Sequence, residues 1–67
     1  YPDYNARVEL VKMYCRGKNP SKECEPELLA RKFDGFSCAK IESILNQAQM
    51  NANQAGRTEF ILEDINF

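Results

Sequence analysis

The 67-residue chain has no histidine, and with it go the usual zinc ligand, the usual general base and any Ser–His or Cys–His nucleophile pair. Its three cysteines, Cys15, Cys24 and Cys38, stand far apart without a Cys-x-x-Cys pair. An odd number without a signal peptide argues against a secreted disulfide framework and reads as reduced, cytosolic thiols. No apolar run approaches the roughly 20 residues that span a bilayer, so a soluble, cytoplasmic chain is expected. No Gly-x-x-x-x-Gly-Lys-Ser/Thr loop is present to cradle a phosphate. Nine basic residues scattered among ten acidic ones leave a net charge of −1, without the massed cations that draw a protein to nucleic acid or anionic membrane. A chain of this size forms one domain at most and buries only about 60% of its unfolded surface, which suits a piece of something larger.

What is present is helical patterning broken by well-placed punctuation, with no internal repeat. Asp3 is positioned to cap a first helix running to about Arg16, with Gly17 as its stop; Tyr4, Val8, Val11 and Cys15 form one apolar stripe with Leu10 and Tyr14 beside it. Lys18 to Glu25 is polar, holds Pro20 and reads as a loop, after which Pro26 suits the first position of a short helix carrying Leu28, Leu29 and Phe33. Gly35 ends that helix, since glycine takes the left-handed conformation without a Cβ penalty, and Phe36 is placed to fold back on Ala30. Ser37 then caps the longest helix, in which Ile41, Ile44, Leu45, Ala48, Ala52 and Ala55 recur on one face. Beyond Gly56, Thr58 to Ile61 leans towards β structure, and Leu62 to Ile65 looks like the first turn of a fourth helix cut off at Phe67. The expected fold is all-α, a small four-helix bundle with short turns, and function is expected to cluster where Gly35 meets Ser37.

Ser37 reads as a cap rather than a nucleophile, because nothing in the chain is suited to accept its proton. Cys38 reads as a partly buried thiol, with a reactive one as the alternative because a helix N-terminus lowers thiol pKa. Glu9, Lys12, Glu23, Glu27 and Glu42 read as solvated surface. Asn46, Gln47, Gln49, Asn51, Asn53 and Gln54 read as a neutral surface, since a DNA-reading helix would need phosphate-binding cations and this one offers only Lys40.

Gly35-Phe36-Ser37-Cys38-Ala39-Lys40-Ile41 resembles the Gly-Phe-Ser-Gly-Ala-Asp-Leu motif of the small helical lid subdomain of AAA ATPases, and Leu45-Asn46-Gln47-Ala48 resembles the Asn-Glu-Ala that follows it. Pro2-Asp3 and Arg7 resemble the Arg-Pro-Asp and downstream arginine that open the lid. Leu28-Leu29-Ala30 resembles its second helix, and Ile61 to Ile65 the start of its last. The FtsH type matches best, over nearly the whole chain. The resemblance implies that residues 1–67 are such a lid and that it carries no catalytic residue and no metal site of its own. The lid would cover ATP bound to a large subdomain outside this chain, and would couple hydrolysis to motion of a homo-hexameric ring acting in protein unfolding or proteolysis. It implies no nucleic-acid partner, and a parent that is an ATP-dependent, metalloprotease-type enzyme with a membrane anchor elsewhere. Tyr14, Ser37, Cys38, Ala39 and Lys40 are the implied nucleotide-proximal residues.

Four positions depart from the motif. Cys38 replaces a glycine that allows close backbone approach, and Lys40 replaces an aspartate, so a cation opposes the helix dipole by about 0.3–1 kcal/mol while gaining reach towards a phosphate. Tyr1 stands in place of the opening arginine and Tyr14 in place of a histidine near the adenine, where stacking is the alternative to plain packing. A free-standing helical protein-interaction module without nucleotide binding is the competing expectation.

Overall fold

The computed structural model describes all residues from Tyr1 to Phe67. It contains α1 (Tyr4–Tyr14), α2 (Pro26–Lys32), α3 (Cys38–Gln54) and a single 3-10 turn at Leu62–Asp64. The all-α reading holds, but the four-helix bundle is corrected to three helices and a turn. The fourth helix stops after one turn because Ile65 goes extended, at φ −91° and ψ 121°, and buries its side chain in the core. The Asp64 side chain accepts the Ile61 N–H at 2.8 Å, a bond that suits a helix start, so the local signal is present and burial of Ile65 overrides it.

Each helix starts where a cap or a proline prepares it. Asp3 Oδ1 accepts the Ala6 N–H at 2.8 Å to open α1, and Pro26 stands at the head of α2, where its missing N–H costs nothing. Helix α1 ends at Tyr14, short of Arg16, with the Lys18 ammonium donating to the Tyr14 carbonyl at 2.8 Å. Its buried residues are Arg7, Val8 and Val11; Val8 and Val11 are as expected, while Tyr4 is exposed, Cys15 half-buried, and Arg7 is buried in addition.

Val11, Leu29, Phe33, Ile41, Leu45 and Phe60 are the largest fully buried side chains. Helix α1 packs against α2 and α3, and α3 against the 3-10 turn. Helix α3 buries Ile41, Ile44, Leu45, Ala48 and Ala52 as expected, whereas Ala55, one residue past its end, is exposed. Phe60, just before the 3-10 turn, is fully buried in the core. It sits in an isolated parallel bridge with Pro20, in which the Phe60 N–H donates to Asn19 O at 2.9 Å and the Ser21 N–H to Phe60 O at 3.0 Å. Cys24 lies beside it, buried, with its thiol directed at Phe60 O at 3.6 Å. All three thiols are free, and burial pushes those of Cys15 and Cys24 upward from their ordinary pKa.

On the amide-rich flank of α3, Asn46, Gln47, Asn53 and Gln54 are exposed as expected of a neutral surface, while Gln49 and Asn51 are half-buried and hold distant backbone. Gln49 accepts the Asn19 N–H at 2.8 Å and donates to Thr58 O at 3.0 Å, while Asn51 donates to Asp64 O at 3.0 Å. These side chains tie the interhelical loop and the C-terminal segment to α3, satisfying backbone groups that no regular element would otherwise pair.

Candidate functional site

The connection from α2 to α3 is built on one glycine and one serine. Gly35 has φ +82°, which an L side chain rarely adopts, and nothing lies within 4 Å of where its Cβ would be, so conformation rather than space calls for glycine. The Phe36 N–H donates to Phe33 O at 3.0 Å, and the Phe36 ring packs edge-on against Phe33 with centroids 5.5 Å apart. Ser37 is extended, at ψ 161°, and its Oγ accepts the Lys40 N–H at 3.2 Å. The N–H of Ile41 is taken by Ser37 O at 3.0 Å. That leaves the Cys38 and Ala39 N–H groups at an exposed first helical turn without a protein acceptor.

Two concavities adjoin this turn. Tyr1, Pro2, Ser37 and Cys38 line one of about 480 Å³, and Tyr1, Gly35, Phe36, Ser37 and Lys40 line one of about 280 Å³. Lys40 is exposed and forms no ion pair, so the open N–H groups and an uncommitted ammonium stand on the same turn. Such a combination favours an anion. A third concavity, about 360 Å³ between Gly56 and Ile61, offers less: its only cation, Arg57, is held by Asp64 at 2.7 and 2.9 Å.

The five residues singled out from the sequence separate into three groups. Ser37, Cys38 and Lys40 line the concavities; Ala39 is exposed on the same turn but lines neither. Tyr14 is half-buried, packs against the core and lines neither; burial raises its phenol pKa, and interaction with Cys38 and Glu42 raises it further. Cys38 is exposed, not partly buried.

Arg7 is the residue that sequence reasoning undervalued. It is 7% exposed, and its guanidinium donates to Ala30 O at 2.7 Å and to Pro2 O at 2.9 Å, so one side chain joins α1, α2 and the segment that walls the larger concavity. The available signal was register: Arg7 stands one helical turn before the buried Val11. The Arg57–Asp64 pair, at the other end of the molecule, has no comparable signal.

No three His, Cys, Asp or Glu side chains gather to hold a metal ion, and no helix is long and apolar enough to cross a membrane. No family model matches the chain. Curated proteins do: over 65 residues, 97% of the chain, it is 37% identical to the ATP-dependent zinc metalloprotease FtsH of a Synechococcus strain, of which it covers 10%. It is 36% identical over 96% of its length to the protein of that name from Aquifex aeolicus, again covering 10% of it. It is 33% identical over 98% of its length to the ATP-dependent zinc metalloprotease YME1L1 of Mus musculus, covering 9%. The chain therefore spans about a tenth of the length of the curated relatives it matches.

Proposed function

With the chain related to FtsH-type ATP-dependent zinc metalloproteases over nearly all of its length, we propose that residues 1–67 are the small helical lid subdomain of an AAA ATPase. In this reading the lid covers ATP held by a large subdomain outside the chain. Its movement on hydrolysis is passed around a homo-hexameric ring that unfolds or degrades proteins. The observation that carries the reading is the exposed first turn of α3, where the free N–H groups of Cys38 and Ala39 stand with the unpaired Lys40 beside a concavity. Those residues suit an anionic phosphate through backbone donors and a point charge. Tyr14, half-buried against the core, is the residue assigned to lie near the base.

ATP supplies the energy in this scheme, and the chain's own residues bind and orient rather than react. With no histidine, the chain is poorly suited to hold the zinc in the relatives' name, so protease chemistry and any membrane anchor are assigned outside residues 1–67.

The test replaces the two motif departures together. Cys38→Gly with Lys40→Asp, made in the full-length protein, should change ATP affinity in calorimetry while the melting temperature of residues 1–67 moves little. Cys38→Gly gives up about 0.5–1 kcal/mol of helix preference, and aspartate in the first turn offsets part of it. Unchanged affinity would turn the α3 N-terminus away from the nucleotide, and magnesium-dependent ATP turnover by residues 1–67 alone would sink the lid reading.

A further inference from the structure

Arg7 is a nearly buried cation whose guanidinium is satisfied mainly by main-chain carbonyls. Its Nε donates to Ala30 O at 2.7 Å, its Nη1 donates to Pro2 O at 2.9 Å, and the same Nη1 lies 3.5 Å from the Asp34 carboxylate. The Asp34 side chain is 82% exposed, so water screens that ion pair, and the two carbonyls dominate. A guanidinium suits this arrangement because its rigid fork presents separate N–H groups in fixed directions, which an ammonium cannot reproduce.

The carbonyl of Pro2 belongs to the segment that faces α3. Tyr1 and Pro2 line the concavity shared with Ser37 and Cys38, and Tyr1 also borders the one shared with Gly35 and Lys40. The Tyr1 side chain is 95% exposed, so packing does little to hold that wall in place. Arg7 is the side chain that fastens the segment to α2, and α2 runs directly into the Gly35 turn.

We propose that Arg7 is a positioning residue: by bridging Pro2 O to Ala30 O it sets Tyr1 and Pro2 as the wall of the cavity at the N-terminus of α3. The positioning stands by itself; its consequence for nucleotide binding rests on the lid reading above.

Cys38 provides the probe, being the exposed thiol, whereas Cys24 is buried and Cys15 half-buried with its pKa raised by burial. A maleimide nitroxide on Cys38 should broaden the Pro2 ring-proton and Glu42 amide signals of residues 1–67. In Arg7→Lys, which keeps the charge and loses the fork, broadening at Pro2, the residue whose carbonyl Arg7 holds, should fall at least about twofold by release of the segment, while Glu42, on the same helix as the label, stays unchanged. Pro2 broadening equal to wild type in a folded Arg7→Lys would overturn the proposal. Should that variant fail to fold, the wild-type chain decides: the Arg7 Nε–H should exchange with solvent far more slowly than that of the exposed Arg31, and equal rates would overturn the bridge. ATP affinity of the full-length protein separates the two claims. Weaker binding in Arg7→Lys extends the positioning role to the nucleotide. A released segment with unchanged affinity leaves that role standing and removes the cavity from the nucleotide site.

Discussion

Gly35 and Gly56 each follow a helix with nearly the same backbone angle, φ +82° and +80°, and a buried or half-buried phenylalanine lies within a few residues of each. After Gly56 the chain is fastened at every step. The Arg57 N–H returns to Ala52 O at 2.9 Å, Gln49 holds Thr58 O, Phe60 is fully buried, Arg57 forks onto Asp64, and Glu23 accepts the Leu62 N–H at 3.1 Å. After Gly35, a single serine oxygen caps a helix whose next N–H groups face water. The difference lies in where neighbouring side chains reach. One turn spends its polar groups on holding the fold, and the other leaves the Cys38 and Ala39 N–H groups and the Lys40 ammonium without a protein partner.

The largest test of this contrast is the aromatic behind each glycine. Phe60→Ala should cost about 3–5 kcal/mol, the usual range for a buried phenylalanine, and Phe36→Ala less than half of that because the ring is half-buried. Chemical denaturation of both variants reads the difference, and equal losses would mean that the two turns are anchored alike.

Next come the glycines. Gly35→Ala and Gly56→Ala should each cost about 1–2 kcal/mol, from backbone strain alone, because a Cβ at either position meets nothing within 4 Å. In a domain this small, about 1 kcal/mol moves the melting temperature by roughly 4–8 °C. A clear inequality would show that one turn relaxes its angle and the other cannot.

Smaller still are the polar ties. Ser37→Ala and Gln49→Ala should each cost about 1 kcal/mol, through a lost cap and lost hydrogen bonds respectively. Their local effects should differ: amide exchange should quicken at Lys40 in the first variant and at Asn19 in the second, the N–H groups each side chain accepts. Exchange quickening at Asn19 in Ser37→Ala would show the two ends to be coupled.

The last test varies pH rather than packing, is confined to the Gly56 side and belongs to Asp64. The Arg57 hydrogen bonds first, then that of the Ile61 N–H, lower its pKa from 3.8 to about 2. A carboxyl depressed in the folded state stabilises above its unfolded pKa and loses that contribution as pH falls through the folded one. Melting temperature should therefore decline between about pH 4 and pH 2 in the wild type. That decline should be shallower in Asp64→Asn. Parallel curves would remove Asp64 from the closure of the C-terminal segment.

Local chemistry was legible in residue order because it depends on near neighbours. Asp3, Pro26, Gly35 and Ser37 act on groups a few positions away, so helix starts and stops were readable, as was the buried face from Ile41 to Ala52. The cap at Ser37 follows from the same local rules, whereas the exposure of Cys38, expected to be partly buried, does not. The fourth helix was misread because Leu62 to Ile65 carries acceptable helix residues and a start signal at Asp64, and only the burial of an extended Ile65 in the core shows why it stops after one turn.

What the amino-acid order determined by itself is the three helices, the caps at Asp3 and Ser37 and the FtsH-type relation. Only the tertiary structure decided that the fourth helix stops after one turn, that Arg7 joins Pro2 to Ala30, that Gln49 and Asn51 fasten distant backbone, and that Phe60 joins the core. The reason is reach. A cap is satisfied within one helical turn, whereas a buried guanidinium or amide takes whichever carbonyl or N–H group folding brings within about 3 Å, and sequence separation does not encode that choice.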